Sequence, residues 1–461
     1  MAPSTAMSYE SVDVVVVGAG LSGLQAALDV QKSGLSCVIL EARDRVGGKT
    51  LSQPLASGNG VVDLGAAWLN EATQPKIYAL AKKYGYETVV QPFKGDEIVE
   101  DTSGTIHRVA QDHLPDLPAA TLRAIGMITS ILETEAAKLD LRNLPISEFD
   151  KLTVSEFLKK EGANEDTYKF FETTVKGLLG VDATELSLFF YLDYIKSGGS
   201  LEELMSEKSD GAQYQRLRQG MQSISKGMAG DLQPGSLFLN SPVSHNHQEK
   251  NPSACVVTTQ RGKQFRAKKV VISIPTPLYR TIKFSPALPK AKMTLADSTT
   301  LGYYAKTILI YDKPWWSELG LRGSFISLMG AVSFSYDTSV EADAQYSITC
   351  FIVGGTGRKW SILSPTMVGD EHGHRVYQTE EIIEDEWIKE HWSQGAPSPV
   401  MGPNLLNKYA DVLRAPCGNL HFVGTETAYE WKGYMDGAVS AGERGAGEVI
   451  QALIKSAAGQ S

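Results

Sequence analysis

Apolar and polar positions follow more than one rhythm along the chain, and each rhythm marks a kind of element. Residues 12–17 (Val-Asp-Val-Val-Val-Val) are a β-branched run, as in a strand buried on both faces. From about residue 21 to 33 the apolar positions Leu24, Ala27, Leu28 and Val30 recur at helical spacing, and Gly34 ends that helix. Residues 36–40 read as a second buried strand, 61–69 as a strand running into a turn of small residues, and 77–84 as a helix. The rhythm then becomes helical. A stripe of Leu122, Ile125, Ile128, Ile131 and Leu132 predicts a long amphipathic helix over 121–139, and 154–160 and 167–179 add two more. Strands return at 237–243, 254–259 and 270–275, at 305–311, at 332–336 and at 420–423. One helix starts near Met435 and a short last one is expected over 447–456. Residues 186–195 are dense in aromatics (Phe189, Phe190, Tyr191, Tyr194) and suit either a core helix or a cavity wall.

This order gives an α/β chain whose βαβ beginning is interrupted by a mainly helical block. At 461 residues it is long enough for two domains, expected at 1–87, 217–291 and 389–461 for the first and 88–216 and 292–388 for the second. Lys plus Arg is 44 against 53 Asp plus Glu, a formal charge of −9, which argues against nucleic-acid binding and mildly favours cationic partners. Cys37, Cys255, Cys350 and Cys417 are scattered beside apolar strands, so they read as reduced thiols with no disulfide frame. No apolar run reaches membrane-spanning length and no secretory signal opens the chain, so no membrane anchor is expected and the location reads as cytoplasmic, with the peroxisome left open. His245 with His247, and His372 with His374 after Asp370 and Glu371, lack zinc spacing, so no metal is expected.

The chemistry begins at Gly18-Ala19-Gly20-Leu21-Ser22-Gly23, directly after the first strand. Gly18 permits a tight turn, Gly20 lets a pyrophosphate approach the backbone, and Gly23 lets the helix pack on the strand, with the amides at Leu21 and Ser22 opening the helix toward the phosphate. The second strand closes on Glu41, 18 residues after Gly23, the place for an acid that binds ribose hydroxyls. Glu41-Ala42-Arg43-Asp44-Arg45-Val46-Gly47-Gly48-Lys49 then forms a basic double-glycine loop, with amides and arginines to hold a second part of a cofactor.

That loop resembles the extended fingerprint of the FAD-dependent amine oxidase superfamily, which usually has Arg where this chain has Lys49. A second signature lies some 400 residues away: Gly424-Thr425-Glu426-Thr427, then Trp431-Lys432-Gly433-Tyr434-Met435 opening a helix of small residues, similar to the FAD-closing motif of monoamine oxidases. The resemblance covers the whole chain and is nearest to monoamine oxidases of soluble fungal or bacterial type. It implies a two-domain, FAD-binding Rossmann-like fold of glutathione-reductase type with an inserted α+β substrate domain. It also implies that Gly65, Ala66, Ala67 and Trp68 pass beneath the flavin, that Val243 meets the adenine, and that Trp387 borders the cofactor. The helix from Met435 would direct its positive end at the ring edge where negative charge accumulates.

Three positions stand out as catalytic. Lys306 is one lysine on an apolar strand, costly unless paired or neutral, and it matches the family lysine that holds a water near the flavin; the alternative is a stem that snorkels to an edge. Gln213, in Gly211-Ala212-Gln213, matches a substrate-side glutamine, the alternative being a solvent-facing amide. Tyr434 matches one wall of the family's aromatic cage. Phe334 falls at an aromatic gate position, while Ala396 and Pro397 replace the cysteine that attaches the flavin and the second cage aromatic of the mammalian enzymes. The resemblance therefore implies non-covalent FAD, a small-molecule amine and dioxygen as reactants, and a widened site for a long or bulky aliphatic amine such as an aminopolyol of the fumonisin type. A polyamine or L-amino-acid oxidase is the nearest alternative, with Arg108 and Arg216 available as carboxylate clamps, and a non-catalytic FAD-binding protein a more distant one. A homodimer is left open.

Overall fold

The structure, a computed structural model, describes residues 9–110, 117–250, 253–362 and 379–458. The His372 and His374 pair and its acidic neighbours lie outside these residues. The chain divides into two compact units, one of residues 1–48, 224–299 and 408–461, the other of 49–223 and 300–407.

In the first unit the strand Glu10–Val17 lies between Cys37–Leu40 and Gln264–Ile272, parallel to both, and Leu420–Phe422 is also parallel to Gln264–Ile272. Val14, Val15 and Val16 are fully buried, which is why no polar residue follows Asp13 in the strand. Val243–Lys250 and Ser253–Thr259 form an antiparallel extension of the same sheet. The strand expected over 237–243 is split: Leu237–Phe238 pairs with Cys37–Leu40, and Asn240, at a φ of 50°, turns the chain so that its amide and that of Ser241 donate to the carbonyls of Arg43 and Glu41. The short helix expected over 447–456 is the end of one continuous helix, Met435–Ala458. Gly442 is there for contact rather than termination: a Cβ on it would sit 2.4 Å from the Ser22 carbonyl oxygen.

The second unit holds a sheet in the order Glu381–Glu386, Tyr304–Tyr311, Tyr346–Val353, Phe334–Asp337, Leu321–Ser327, Asp96–Glu100 and Ile106–Val109. The helices Ala119–Ala137, Glu165–Leu179 and Leu188–Ser197 belong to this unit. Thr153 and Glu156 close a reciprocal capping box on the helix Val154–Lys160. Phe189, Phe190, Tyr191 and Tyr194 are all buried, so the aromatic segment is a core helix.

The contact boundaries differ from the expected ones at residues 49–87, 217–223 and 389–407, which belong to the second unit, and at 292–299, which belong to the first. Hydrogen bonds give the reason. Ala66 donates to the Lys49 carbonyl, Leu69 exchanges both backbone bonds with Gln215, and Ala396 donates to Gly302. Among the described residues no helix is long and apolar enough to cross a membrane.

Candidate active site

In the first unit the glycine turn sits at the carboxyl end of the central strand. Gly18 has a φ of 100° and a Cβ there would lie 2.7 Å from the Ser273 carbonyl oxygen, while a Cβ on Gly23 would lie 2.0 Å from the Gly18 oxygen. Both are glycine because backbone occupies the space. Gly20 differs: a Cβ would meet nothing within 4 Å, and as N-cap of the helix Leu21–Lys32 it offers no side-chain cap to the first amides. Open space in front of uncapped donors fits a pyrophosphate.

Glu41 is buried, and its two oxygens accept the Ala19 amide at 2.7 Å and the Arg43 amide at 2.9 Å. The carboxylate so braces the turn, and the remaining lone pairs suit ribose hydroxyls. Gly47 donates to Ala19, and Arg45 closes its own loop on the Gly48 carbonyl at 3.1 Å. Val243 is buried at a register break of its strand. Gly424 takes a φ of 135°, and Glu426 is buried with one oxygen accepting the amide and hydroxyl of Thr276, each at 3.0 Å. The Thr425 hydroxyl donates to the Tyr434 carbonyl, and the Tyr434 ring meets Trp431 edge-on at 5.1 Å, just before Met435 opens the last helix.

In the second unit the residues converge on the segment from Asp63 to Trp68. Lys306 is buried and its ammonium donates to the Asp63 carbonyl at 2.9 Å and the Gly65 carbonyl at 2.5 Å, which rules out the snorkelling alternative. Its third N–H has no protein acceptor among the described residues, and the Trp68 and Phe351 rings lie 5.6 and 5.2 Å away. Burial pulls the Lys306 ammonium down to about 8, with the nearby Asp63 carboxylate opposing. Burial also pushes Asp63 up to about 6, against the Ser52 hydroxyl that donates to it. The Trp387 indole donates to the Leu64 carbonyl at 3.0 Å, so Trp387 supports the same segment. Gly65 is small for a reason the sequence reading did not supply: a Cβ would fall 2.1 Å from the Lys49 oxygen.

Around Trp68 the rings of Phe334, Tyr336, Phe351 and Tyr304 form one cluster, with Phe334 stacked on Phe351 at 4.7 Å and Trp68 edge-on to Tyr336 at 5.1 Å. Gln213 donates from its amide nitrogen to the Leu204 carbonyl, and its side-chain oxygen is buried with no hydrogen-bond partner among the described residues. It is no solvent-facing amide. Ala396 is buried and Pro397 half-buried, in a bend just before the strand Pro399–Met401. Thus Lys49, Gly65 to Trp68, Gln213, Lys306, Phe334, Trp387 and Pro397 belong to the second unit, and the glycine turn, Glu41 to Gly48, Val243 and Gly424 to Met435 to the first.

Two polar residues escaped the sequence reading. Asn70, fully buried, donates to the carbonyls of Ser209 and Gly211 and accepts the amides of Ala72 and Thr73, tying the Gln213 loop to the end of the Trp68 segment. Gln91 accepts from the Trp68 indole and from Arg216. The only sequence signal was an amide beside the small-residue turn. Arg216 is also committed to the carbonyls of Thr338 and Ser339, and Arg108 to Asp96 and Leu319, which takes both arginines from the role of carboxylate clamp.

A glycine turn at the end of a central parallel strand, braced by an acid on the second strand, fits the class of dinucleotide-binding proteins. The family described as flavin containing amine oxidoreductase matches residues 21–450. The chain is 30% identical over 458 residues to a probable flavin-containing monoamine oxidase A of Dictyostelium discoideum, covering 96% of this chain and 98% of that one. Among solved structures it is similar to wild-type putrescine oxidase bound to putrescine (TM-score 0.89, 25% identity, 96% and 100% of the two chains). It is also similar to cyclohexylamine oxidase from Brevibacterium oxydans IH-35A (TM-score 0.88, 27% identity, 96% and 99%). The protein therefore belongs to the flavin-containing amine oxidase family. It is an FAD-dependent oxidoreductase of amines.

Proposed function

We propose that the substrate is a long or bulky aliphatic primary amine, an aminopolyol being one such compound, converted with water and dioxygen to the carbonyl, ammonia and hydrogen peroxide. When bound, FAD supplies the two-electron oxidation of the carbon–nitrogen bond and its coupling to dioxygen. The observation that carries the reading is that one unit holds the Lys306 ammonium, with one N–H unspent among the described residues, the Gln213 oxygen without a partner among them, and the rings that cluster at Trp68. The Gln213 oxygen is suited to accept an N–H of a neutral amine, fixing which way its α-carbon faces. Lys306 is suited to hold a water through its third N–H. Tyr434 is assigned the aromatic face toward the amine, by family resemblance. The ring cluster excludes bulk water.

Pro397 carries the substrate preference. It has no π-face, so a flat aromatic amine gains nothing from it, whereas a flexible chain needs none. The solved relatives named for putrescine and cyclohexylamine act on aliphatic amines by their names, which supports the same preference. The test compares peroxide formation from benzylamine and from a long-chain 2-aminoalkane, in the wild type and in Pro397→Tyr. A several-fold preference for the alkane that shrinks in the variant is expected; strong preference for benzylamine, or an unmoved ratio, would sink it. Acid precipitation of the holoenzyme is expected to leave FAD in the supernatant, because Ala396 has no nucleophile. An L-amino-acid oxidase is disfavoured by the committed Arg108 and Arg216.

A further inference from the structure

The loop that carries Gln213 also carries an acid that no step above uses. Gln213 donates its backbone amide to the Ser206 carbonyl, and Glu207 is the next residue. The Glu207 side chain is only 8% exposed, yet no hydrogen bond reaches its carboxylate among the described residues. Its nearest cation, the Arg322 guanidinium, is 3.8 Å away, beyond hydrogen-bond reach. Arg322 is occupied elsewhere. It donates to Glu97 and to the Ser324 hydroxyl, and it lies over the Phe93 ring at 5.3 Å.

A largely buried carboxylate held by a distant ion pair and by no hydrogen-bond donor still has acceptor capacity for a visitor. The surroundings say of what kind. Glu97 and Asp337 oppose the Glu207 charge and Arg322 offsets it, so a donor arriving at Glu207 meets acids on this side. Burial first, then those neighbouring acids, push Glu207 up to about 7. Glu207 and Glu97 also act on the Tyr336 hydroxyl, raising it after burial has done so, and Tyr336 touches Trp68, Phe334 and Phe351. The loop thus offers two acceptors on the unit of the ring cluster, the buried Gln213 oxygen without a hydrogen-bond partner among the described residues and the Glu207 carboxylate with its one ion pair at 3.8 Å.

We propose that Glu207 is a specificity-determining residue that takes a second hydrogen-bond donor, ammonium or hydroxyl, carried by the amine substrate away from the oxidised end. This rests on the amine oxidase reading for what happens at that end. A single charge-assisted hydrogen bond sets the gain at roughly tenfold or more.

The test uses full-length holoenzyme and amines whose α-carbons bear two methyl groups, which have no α-hydrogen and so bind without turnover. Dissociation constants are measured by calorimetry for an alkyl monoamine, an amino alcohol and an α,ω-diamine of matched chain length, in the wild type, Glu207→Gln and Glu207→Asp. The wild type is expected to bind the diamine, the amino alcohol or both about tenfold more tightly than the monoamine. Tighter diamine binding identifies ammonium as the donor, and tighter amino-alcohol binding identifies hydroxyl. Glu207→Gln should abolish the diamine's advantage, and Glu207→Asp should keep it while moving the optimum to a longer chain, because the carboxylate retreats by one methylene. Equal binding of all three compounds by the wild type would overturn the proposal, as would an advantage that survives in Glu207→Gln. Peroxide from the corresponding oxidisable amines is read separately. Glu207-dependent selectivity without peroxide would uphold the role of Glu207 and remove the oxidase reading.

Discussion

Lys306 was legible from the sequence because a cation on an apolar strand conflicts with its surroundings, and the conflict itself points to a role. Its acceptors were not legible. They are the carbonyls of Asp63 and Gly65, more than two hundred positions earlier, and main-chain oxygens leave no mark in a sequence. The same limit explains Glu41, whose spacing predicted a ribose contact but not the two amides it accepts from Ala19 and Arg43. For Lys306→Met the expectation is a fall in amine-dependent kcat of about tenfold or more, because the donor proposed to hold a water is lost. Two buried carbonyls also lose their partner, at about 2 kcal/mol of stability. Both are checked on one sample, by steady-state peroxide formation and by denaturant unfolding. FAD content should stay near that of the wild type, since the pyrophosphate cradle is on other residues; a colourless Lys306→Met protein would assign Lys306 to cofactor binding instead.

Elements were readable where one face alone decided them. The strand Glu10–Val17, the helix Leu21–Lys32 and the helix Val154–Lys160 fall at or near their expected places because burial and caps are local signals. The errors came where packing overrode local signal. A separate short helix was expected over 447–456, yet the helix runs unbroken from Met435 to Ala458, with Gly442 packed close against the Ser22 carbonyl. A Gly442→Leu change places a side chain where 2.4 Å separates a Cβ from backbone, so the two helices must part at the glycine turn. The expected outcome is a loss of about 3 kcal/mol in holoprotein stability together with weakened FAD retention, read by unfolding and by flavin fluorescence after gel filtration. The Gln213 loop makes the complementary case. Asn70→Ala removes four hydrogen bonds that fix this loop, leaving buried carbonyls and amides unpaired. KM for amines should rise several-fold with FAD content preserved, and an unchanged KM would mean that the loop holds its shape without Asn70.

At the scale of the molecule, the boundaries expected from the sequence follow changes of rhythm, whereas the contact-defined units follow hydrogen bonds. Residues 49–87 continue the βαβ rhythm and yet belong to the second unit through Lys49, Leu69 and Lys306. That unit collects buried ionisable groups, and their combined titration is a property of the whole fold. Burial raises Asp63 to about 6 and Glu207 to about 7, and lowers Lys306 to about 8. The signs differ. For the two acids the native state binds protons more tightly than the unfolded chain, so their contribution is present below the ordinary carboxylate value and is lost as pH rises through 6 and 7. For Lys306 the unfolded chain binds the proton more tightly, so its contribution is present above the ordinary lysine value and is lost as pH falls through about 8. Glu207→Gln isolates one of these terms, because glutamine keeps the shape and does not titrate. The stability of the wild type relative to this variant is expected to fall between pH 4.5 and pH 8, by roughly 3 kcal/mol at most. Denaturant unfolding of both holoproteins across that range reads the difference directly. A flat difference would mean that Glu207 titrates alike in the folded and unfolded chain, and a rising one that it is held ionised by a donor in the native state.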